Sequence, residues 1–322
     1  MIKPTRSPAP IPHDPRLYTD YAQLIRIQAY AHTLNLLPNS RIASKLDGRH
    51  SSKLRGRGLN FEELRHYQIG DDIRNIDWKV TLRTGQPHVR GYTEEKDRHV
   101  IVCIDQRSSM FFASTNVMKS VVASEITALI GWRALKESDR VSFLLMDDAQ
   151  CRVNKATRSQ STLLAFFKTL ARTNQALNAQ GIARSQQSFS HFIDHLTRNK
   201  THGSTIFIVS DWQDASPKDV DRLHQLQRSN DVIPVIITDP LEQQLPKNLI
   251  ENTLHVGDGE YQFSLAHETQ RQTINHALKR NFDDTSHQLT RLIATKGLPV
   301  VALSTQGDHI KLFGQYVGGN KK

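Results

Sequence analysis

A chain of 322 residues with 38% hydrophobic and 23% charged side chains holds enough apolar material for a sizeable core, in one large or two modest globular domains. Its two cysteines, Cys103 and Cys151, exclude a disulfide framework and a cysteine-rich metal site, and point to a reducing compartment. The formal net charge of +10 raises the question of nucleic-acid binding, but much of the excess is local, and a basic run equally suits an acidic protein face or open solvent.

Residues 1–16 are proline-rich and read as disordered, with no apolar stretch of the kind a signal peptide needs. YAQLIRIQAYAHTLNLL then sets Leu24, Ile27, Ala31 and Leu34 at helical spacing, predicting an amphipathic helix that ends before Pro38. A basic linker follows, RHSSKLRGRG, carrying Arg49, Lys53, Arg55 and Arg57. LNFEELRHYQIGDDIRNIDW fits neither a helix face nor an alternating strand and reads as a small irregular module, closed by a short strand in QPHVRGYTEE. Helix, linker and module are grouped as residues 17–97.

From residue 98 to 322 the pattern alternates. HVIVCID, DRVSFLLMDD, GSTIFIVSDW, DVIPVIITD and LPVVALST read as strands, the first a continuous apolar run of the kind buried on both faces of a parallel sheet. SVVASEITALIGWRALK, STLLAFFKTLARTNQAL, QSFSHFIDHLTRNK, PKDVDRLHQLQRS and a long segment from QRQTINHALKR to ATKG read as helices, and EYQFSLAH as a short edge strand. The expectation is a doubly wound, mostly parallel α/β sheet. No window approaches the roughly 20 apolar residues that cross a bilayer, so the chain is expected to be soluble and cytoplasmic.

Ligands of such sheets sit beyond the carboxyl ends of the strands. Two strands deliver an aspartate there, Asp105 and Asp211, and Asp105 opens the turn DQRSSM. A magnesium ion wants about six oxygens, commonly one or two carboxylates with hydroxyls and water. Asp105, Ser109 and Asp211 supply the start of that sphere. His191 and His195 stand four apart on a predicted helix, with no third ligand near in sequence.

The Asp105 turn resembles the von Willebrand factor A fold, whose metal-ion-dependent adhesion site uses an Asp-x-Ser-x-Ser turn, a threonine from a second loop and an aspartate from a third. On that resemblance Asp105 takes the first place, Ser109 the last and Asp211 the third-loop place, while the threonine is Thr157 or Thr162. Arg107 replaces the middle serine. Turned inward, its guanidinium satisfies the same negative charge as a cation and opposes magnesium binding; turned outward, it leaves Ser108 as a stand-in ligand.

The module completes a second resemblance. Gly56 and Gly58, Phe61, Leu64, Arg65, Tyr67, the Gly70-Asp71-Asp72 run, Arg74, Ile76, Asp77, Trp78, Arg83, Glu94 and Glu95 are similar to the signature of the domain of unknown function 58 family. Within it, Asp72 with Arg74 and Asp77 with Arg83 are close enough in sequence to pin turns, over a small core of Phe61, Tyr67, Ile76 and Trp78. The same charges, Arg65 and Asp71 among them, suit a docking surface instead.

The resemblance implies a non-enzymatic adaptor acting beside a MoxR-type AAA+ ATPase in chaperone-like remodelling or maturation of client proteins. The chain carries no G-x-x-x-x-G-K-[ST] loop, no Ser-His-Asp order and no zinc spacing. The alternatives are a magnesium-dependent hydrolase of phosphorylated substrates, since paired strand-end aspartates occur in such enzymes, and nucleic-acid binding through residues 49–57.

Overall fold

The chain divides into two compact units, one of Met1–Ala43 with Arg98–Lys322 and one of Ser44–Asp97. The computed structural model describes residues 14–32, 59–94, 98–178, 187–199, 201–243, 254–257, 262–265 and 288–317; Leu34, the linker cations and residues 1–13 lie outside these. The large unit opens with two short helices, α1 (Tyr21–Arg26) and α2 (Gln28–Ala31), where the apolar spacing reads one. Asp20 starts α1 by accepting the Gln23 backbone N–H. Leu24, Ile27 and Ala31 are buried in the same cluster as the α/β core, so these helices belong with the large unit and not with the module grouped beside them at residues 17–97.

The small unit is built on an antiparallel hairpin, β1 (Leu59–His66) with β2 (His88–Glu94), whose register shifts between Phe61 and Glu63. Between the strands lie a 3₁₀ turn, Ile73–Asn75, and a two-turn helix, α3 (Trp78–Thr84).

The large unit continues with β3 (His99–Asp105), α4 (Lys119–Lys136), β4 (Arg140–Met146), β5 (Cys151–Thr157), α5 (Gln160–Gln175), α6 (Ser190–Arg198), β6 (Ser204–Ser210), α7 (Pro217–Leu226), β7 (Asp231–Thr238) and the single turn α8 (Pro240–Gln243). After it come β8 (Leu254–Gly257), β9 (Gln262–Leu265), α9 (Gln288–Thr295), β10 (Val301–Ser304) and α10 (His309–Val317). Six strands form one sheet in the order β10-β7-β6-β3-β4-β5, parallel throughout except for β5, which runs antiparallel to β4. The segment EYQFSLAH holds β9, which pairs with β8 as a separate two-stranded ribbon and not with an edge of this sheet.

The alternation along β3 shows why its sequence is apolar throughout. Val100, Val102 and Ile104 enter one core with α1, α2, α4, α5 and α10, whereas Ile101 and Cys103 enter the other with α6, α7 and α9. Helices thus cover both faces, an arrangement compatible with a doubly wound fold. Pro217 occupies the first turn of α7, where Ser216 and Asp219 cap each other reciprocally. Among the described residues no helix is long and apolar enough to cross a membrane.

At Gly131, α4 lies close against both α5 and the sheet. A Cβ there would lie 2.9 Å from Leu163 Cδ1 and 3.2 Å from Phe143 Cζ, and that phenyl ring is already stacked on Phe166 at 3.9 Å. Overpacking costs about 1–3 kcal/mol and the gain in helix propensity about 1 kcal/mol. Gly131→Ala is therefore expected to lower stability by about 1 kcal/mol in urea denaturation; a gain would show that both side chains have room to move.

Sequence order reverses at β3, since the chain leaves it for β4 on one side and later returns to β6 on the other. Such switch points open a crevice beyond the strands' carboxyl ends. Asp105 and Asp211 meet there.

Candidate functional site

Asp105 closes β3 completely buried, at 0% exposure, and both its oxygens are taken. Oδ1 accepts the Arg107 backbone N–H and Nε–H, each at 3.0 Å, while Oδ2 accepts Arg107 Nη2 at 2.7 Å and the Ser210 hydroxyl at 2.8 Å. Arg107 points inward, its side chain 6% exposed. The other edge of its guanidinium grips Asp214, with Nη1 to Oδ2 at 2.8 Å and Nη2 to Oδ1 at 2.9 Å. One arginine thus joins two carboxylates in fork geometry. Burial works against the Arg107 charge, but the bonds to Asp105 and Asp214 win and hold it more firmly protonated than a free arginine. Burial would likewise raise Asp214, but the Arg107 bonds outweigh it and the carboxyl ends below its ordinary value.

The second aspartate sits just past β6. Trp212 follows it in the left-handed backbone region at φ +60°, a conformation costing a non-glycine residue of order 1–3 kcal/mol. The indole holds it there, donating to the Val235 carbonyl at 3.3 Å and packing on Phe189 at a centroid distance of 4.5 Å. The turn leaves Asp211 inside, its side chain 1% exposed, and brings Asp214 back to Arg107. Asp211 Oδ2 has no hydrogen-bond partner among the described residues, and its nearest cation is Lys119 Nζ at 3.9 Å.

Lys119 begins α4 fully buried and spends its main contact on Glu242, beyond β7. Burial pushes Asp211 up to about 6, the charge of Asp105 adds to this, and Lys119 with Arg107 offsets only part of it.

A third strand delivers an aspartate in the same way. Asp239, just past β7, is buried and accepts the Ser114 N–H and hydroxyl and the Thr305 hydroxyl. These bonds overcome the effect of burial, and its carboxyl stays low. The run IITD carries the same strand-end signal as HVIVCID and IVSD. Asp214, Lys119 and Glu242 carry no such signal.

The remaining sequence candidates are placed unequally. Ser108 donates its N–H and hydroxyl to Asp148, and Ser109 is half-buried in the 3₁₀ turn Ser108–Met110. Thr157 pairs with Val141 at the amino edge of the sheet, five residues from the Met146 that neighbours Asp105, or about 16 Å at strand rise. Thr162 begins α5 at that same edge. Neither threonine joins Asp105.

A divalent ion at Asp105 would need oxygens already held by an inward cation and a hydroxyl, so the residues present do not fit one. His191 receives the Ser188 N–H on its Nδ1, and among the described residues it and His195 gain no third ligand.

In the small unit, Gly70 at φ +109° lets the turn fold back so that Asp71 takes a bidentate pair from Arg65 at 2.7 and 2.8 Å and the Gln68 N–H at 2.8 Å. Arg65 and then the Gln68 N–H hold Asp71 below its ordinary value. Asp72 accepts the backbone N–H of Arg74, not its guanidinium. Asp77 caps α3 through the Lys79 and Val80 N–H groups and pairs with Arg90 at 2.8 Å, not with Arg83. The Val80 N–H and the Arg90 guanidinium keep its carboxyl low. Trp78 is no core residue, being 62% exposed, because its place in the first turn of α3 faces water.

A mixed α/β body whose strand ends gather carboxylates around tethered cations, with a Gly-Asp-Asp module ahead of it in sequence, is the class of protein these observations define. The chain belongs to the DUF58 family, described as "Protein of unknown function DUF58", whose model matches residues 63–288, well over half its length. It is 25% identical over 324 residues to the uncharacterized protein Rv1480 of Mycobacterium tuberculosis (strain ATCC 25618 / H37Rv), covering 99% of this chain and 98% of that protein. The uncharacterized protein Mb1516 of Mycobacterium bovis matches with the same identity and coverage.

Proposed function

We propose that the chain is a non-enzymatic cytoplasmic adaptor that works beside a MoxR-type AAA+ ATPase in chaperone-like remodelling or maturation of client proteins. Its α/β body is a von Willebrand factor A-type domain, and the rim around the strand-end acid cluster receives the partner. The strand order with one antiparallel edge, and the Asp105-to-Ser109 turn at the switch point, support the fold reading.

The observation that carries the function is the engagement of Asp105 by Arg107. A carboxylate whose oxygens are taken by its own neighbour is a poor nucleophile, base or metal ligand, yet it fixes the shape of the crevice floor. Above that floor Phe112 and Gln213 are exposed, Phe112 beneath the Lys119 ammonium at 5.5 Å and Gln213 bonded to Glu242 at 3.3 Å. These side chains form the contact rim, and because the inward Arg107 already supplies positive charge to Asp105, binding is expected to need no magnesium.

Biolayer interferometry between this protein and a MoxR-type ATPase of the same organism, with ATP, tests this. The expected result is binding that is unchanged by EDTA on the adaptor and weakened at least about 10-fold by Phe112→Glu with Gln213→Lys, since a few central contacts dominate such interfaces. No binding by the unaltered protein rejects the partner, and full binding by the double variant rejects the rim.

A further inference from the structure

The small unit exposes what folded domains ordinarily bury. Of the ten large hydrophobic side chains exposed among the described residues, five lie between positions 64 and 82: Leu64, Ile69, Ile73, Trp78 and Leu82. Ile69 is fully exposed, Leu82 84% and Ile73 62%. Singly exposed apolar side chains are normal, but neighbours on one helix face, such as Trp78 and Leu82, make a contiguous apolar patch that a partner can cover.

The hairpin, the Arg65–Asp71 pair, and the Asp77 cap with its Arg90 partner hold the module together without using these side chains. Trp78 and Leu82 are four residues apart on α3 and so share one face of it.

The charges around them select the partner. Three of the module's carboxylates are spent on its own fold, Asp71 on Arg65, Asp72 on the Arg74 N–H, and Asp77 on α3 and Arg90. Arg74, Lys79 and Arg83 are exposed and have no carboxylate partner among the described residues. Lys79 and Arg83 stand one turn apart beside the Trp78–Leu82 stripe.

We infer that this face is a docking site for an acidic protein segment that sets apolar side chains against Trp78 and Leu82 and carboxylates against Arg74, Lys79 and Arg83. A membrane-surface element presents a broad apolar face on a strongly amphipathic helix, which seven residues of α3 do not supply. A single-stranded nucleic-acid platform stacks successive bases on several rings, whereas this face carries one exposed tryptophan. The site belongs to the small unit and the strand-end rim to the large one, and each is tested by its own substitutions.

Trp78 also supplies the readout. The protein has three tryptophans, and Trp132 and Trp212 are 4% and 2% exposed, so acrylamide quenching of the full-length protein reports on Trp78. The probe is a short helical peptide with two leucines one turn apart flanked by glutamates, compared with the same peptide carrying lysines instead.

The acidic peptide is expected to blue-shift the emission and protect it from quencher, more weakly as salt rises. Lys79→Glu with Arg83→Glu is expected to weaken binding by about 10-fold or more, because two attractive surface pairs become repulsive. Leu82→Asn and, separately, Arg74→Glu are expected to weaken it several-fold, in protein whose melting temperature is unchanged. Four results overturn the inference: no protection by the acidic peptide, equal protection by the lysine peptide, binding indifferent to the charge reversals, or protection only by phosphatidylglycerol vesicles or a single-stranded oligonucleotide.

Discussion

Arg107→Ala is expected to destabilise the folded protein by about 3–5 kcal/mol, the range for removing one partner of a buried ion pair. Asp105 is completely buried and would keep only the Ser210 hydroxyl and one backbone N–H for a full negative charge. The penalty falls on Asp105, because Asp214 is 40% exposed and regains water. Removing both charges together is a different perturbation: Asp105→Asn with Arg107→Met leaves a neutral acceptor for the hydroxyl and an apolar stem of similar length. Buried pairs replaced in this way often cost little, so the double variant should recover most of the loss. Urea denaturation with an unchanged m-value checks both. A cost below about 1 kcal/mol for the single variant would mean that Asp105 finds water or another donor, and the closed crevice floor would be lost with it.

The parallel strands were legible because burial on both faces writes itself as an unbroken apolar run, as in HVIVCID and IVSD. β5 was not: its seven residues are half-buried or exposed, and CRVNKAT has neither the run nor a clean alternation. Missing that strand also misplaced the threonine. Read as a residue of a loop near the crevice, Thr157 is in fact carried to the amino edge by the antiparallel course of β5. α10 was also missed, a short C-terminal helix whose Phe313 closes one core.

At the site, the aspartates were visible because they end buried strands, and Arg107 because it interrupts a serine pattern. Lys119 was invisible for a physical reason. Lysine is almost never fully buried unless paired, and its partners, Asp211 and Glu242, lie 92 and 123 residues further on and meet it only through the strand order. In the module the error ran the other way, since an aromatic residue in a signature reads as core, and Trp78 is turned to water by the cap that Asp77 places before it.

Asp211→Asn is expected to stabilise the protein at neutral pH and to lose that advantage in acid. The carboxyl titrates at its ordinary value of 3.8 in the unfolded chain and at about 6 in the folded one. Between these values the native state holds a proton that the unfolded chain has released, so this group's contribution to stability falls as pH rises and levels off above about 6. At about 1.4 kcal/mol per pH unit the difference amounts to about 3 kcal/mol at most. Asp214 and Asp239 act in the opposite sense, their stability being present above the ordinary carboxylate value and lost on acidification below it. The whole-protein curve therefore mixes both signs, and subtracting the curve of the asparagine variant isolates Asp211. The variant should match the unaltered protein near pH 4 and exceed it increasingly up to about pH 6–7 in denaturation at stepped pH. Parallel curves would mean that the carboxyl reaches water, and a variant less stable at neutral pH would mean that Lys119, 3.9 Å away, outweighs burial and the Asp105 charge together.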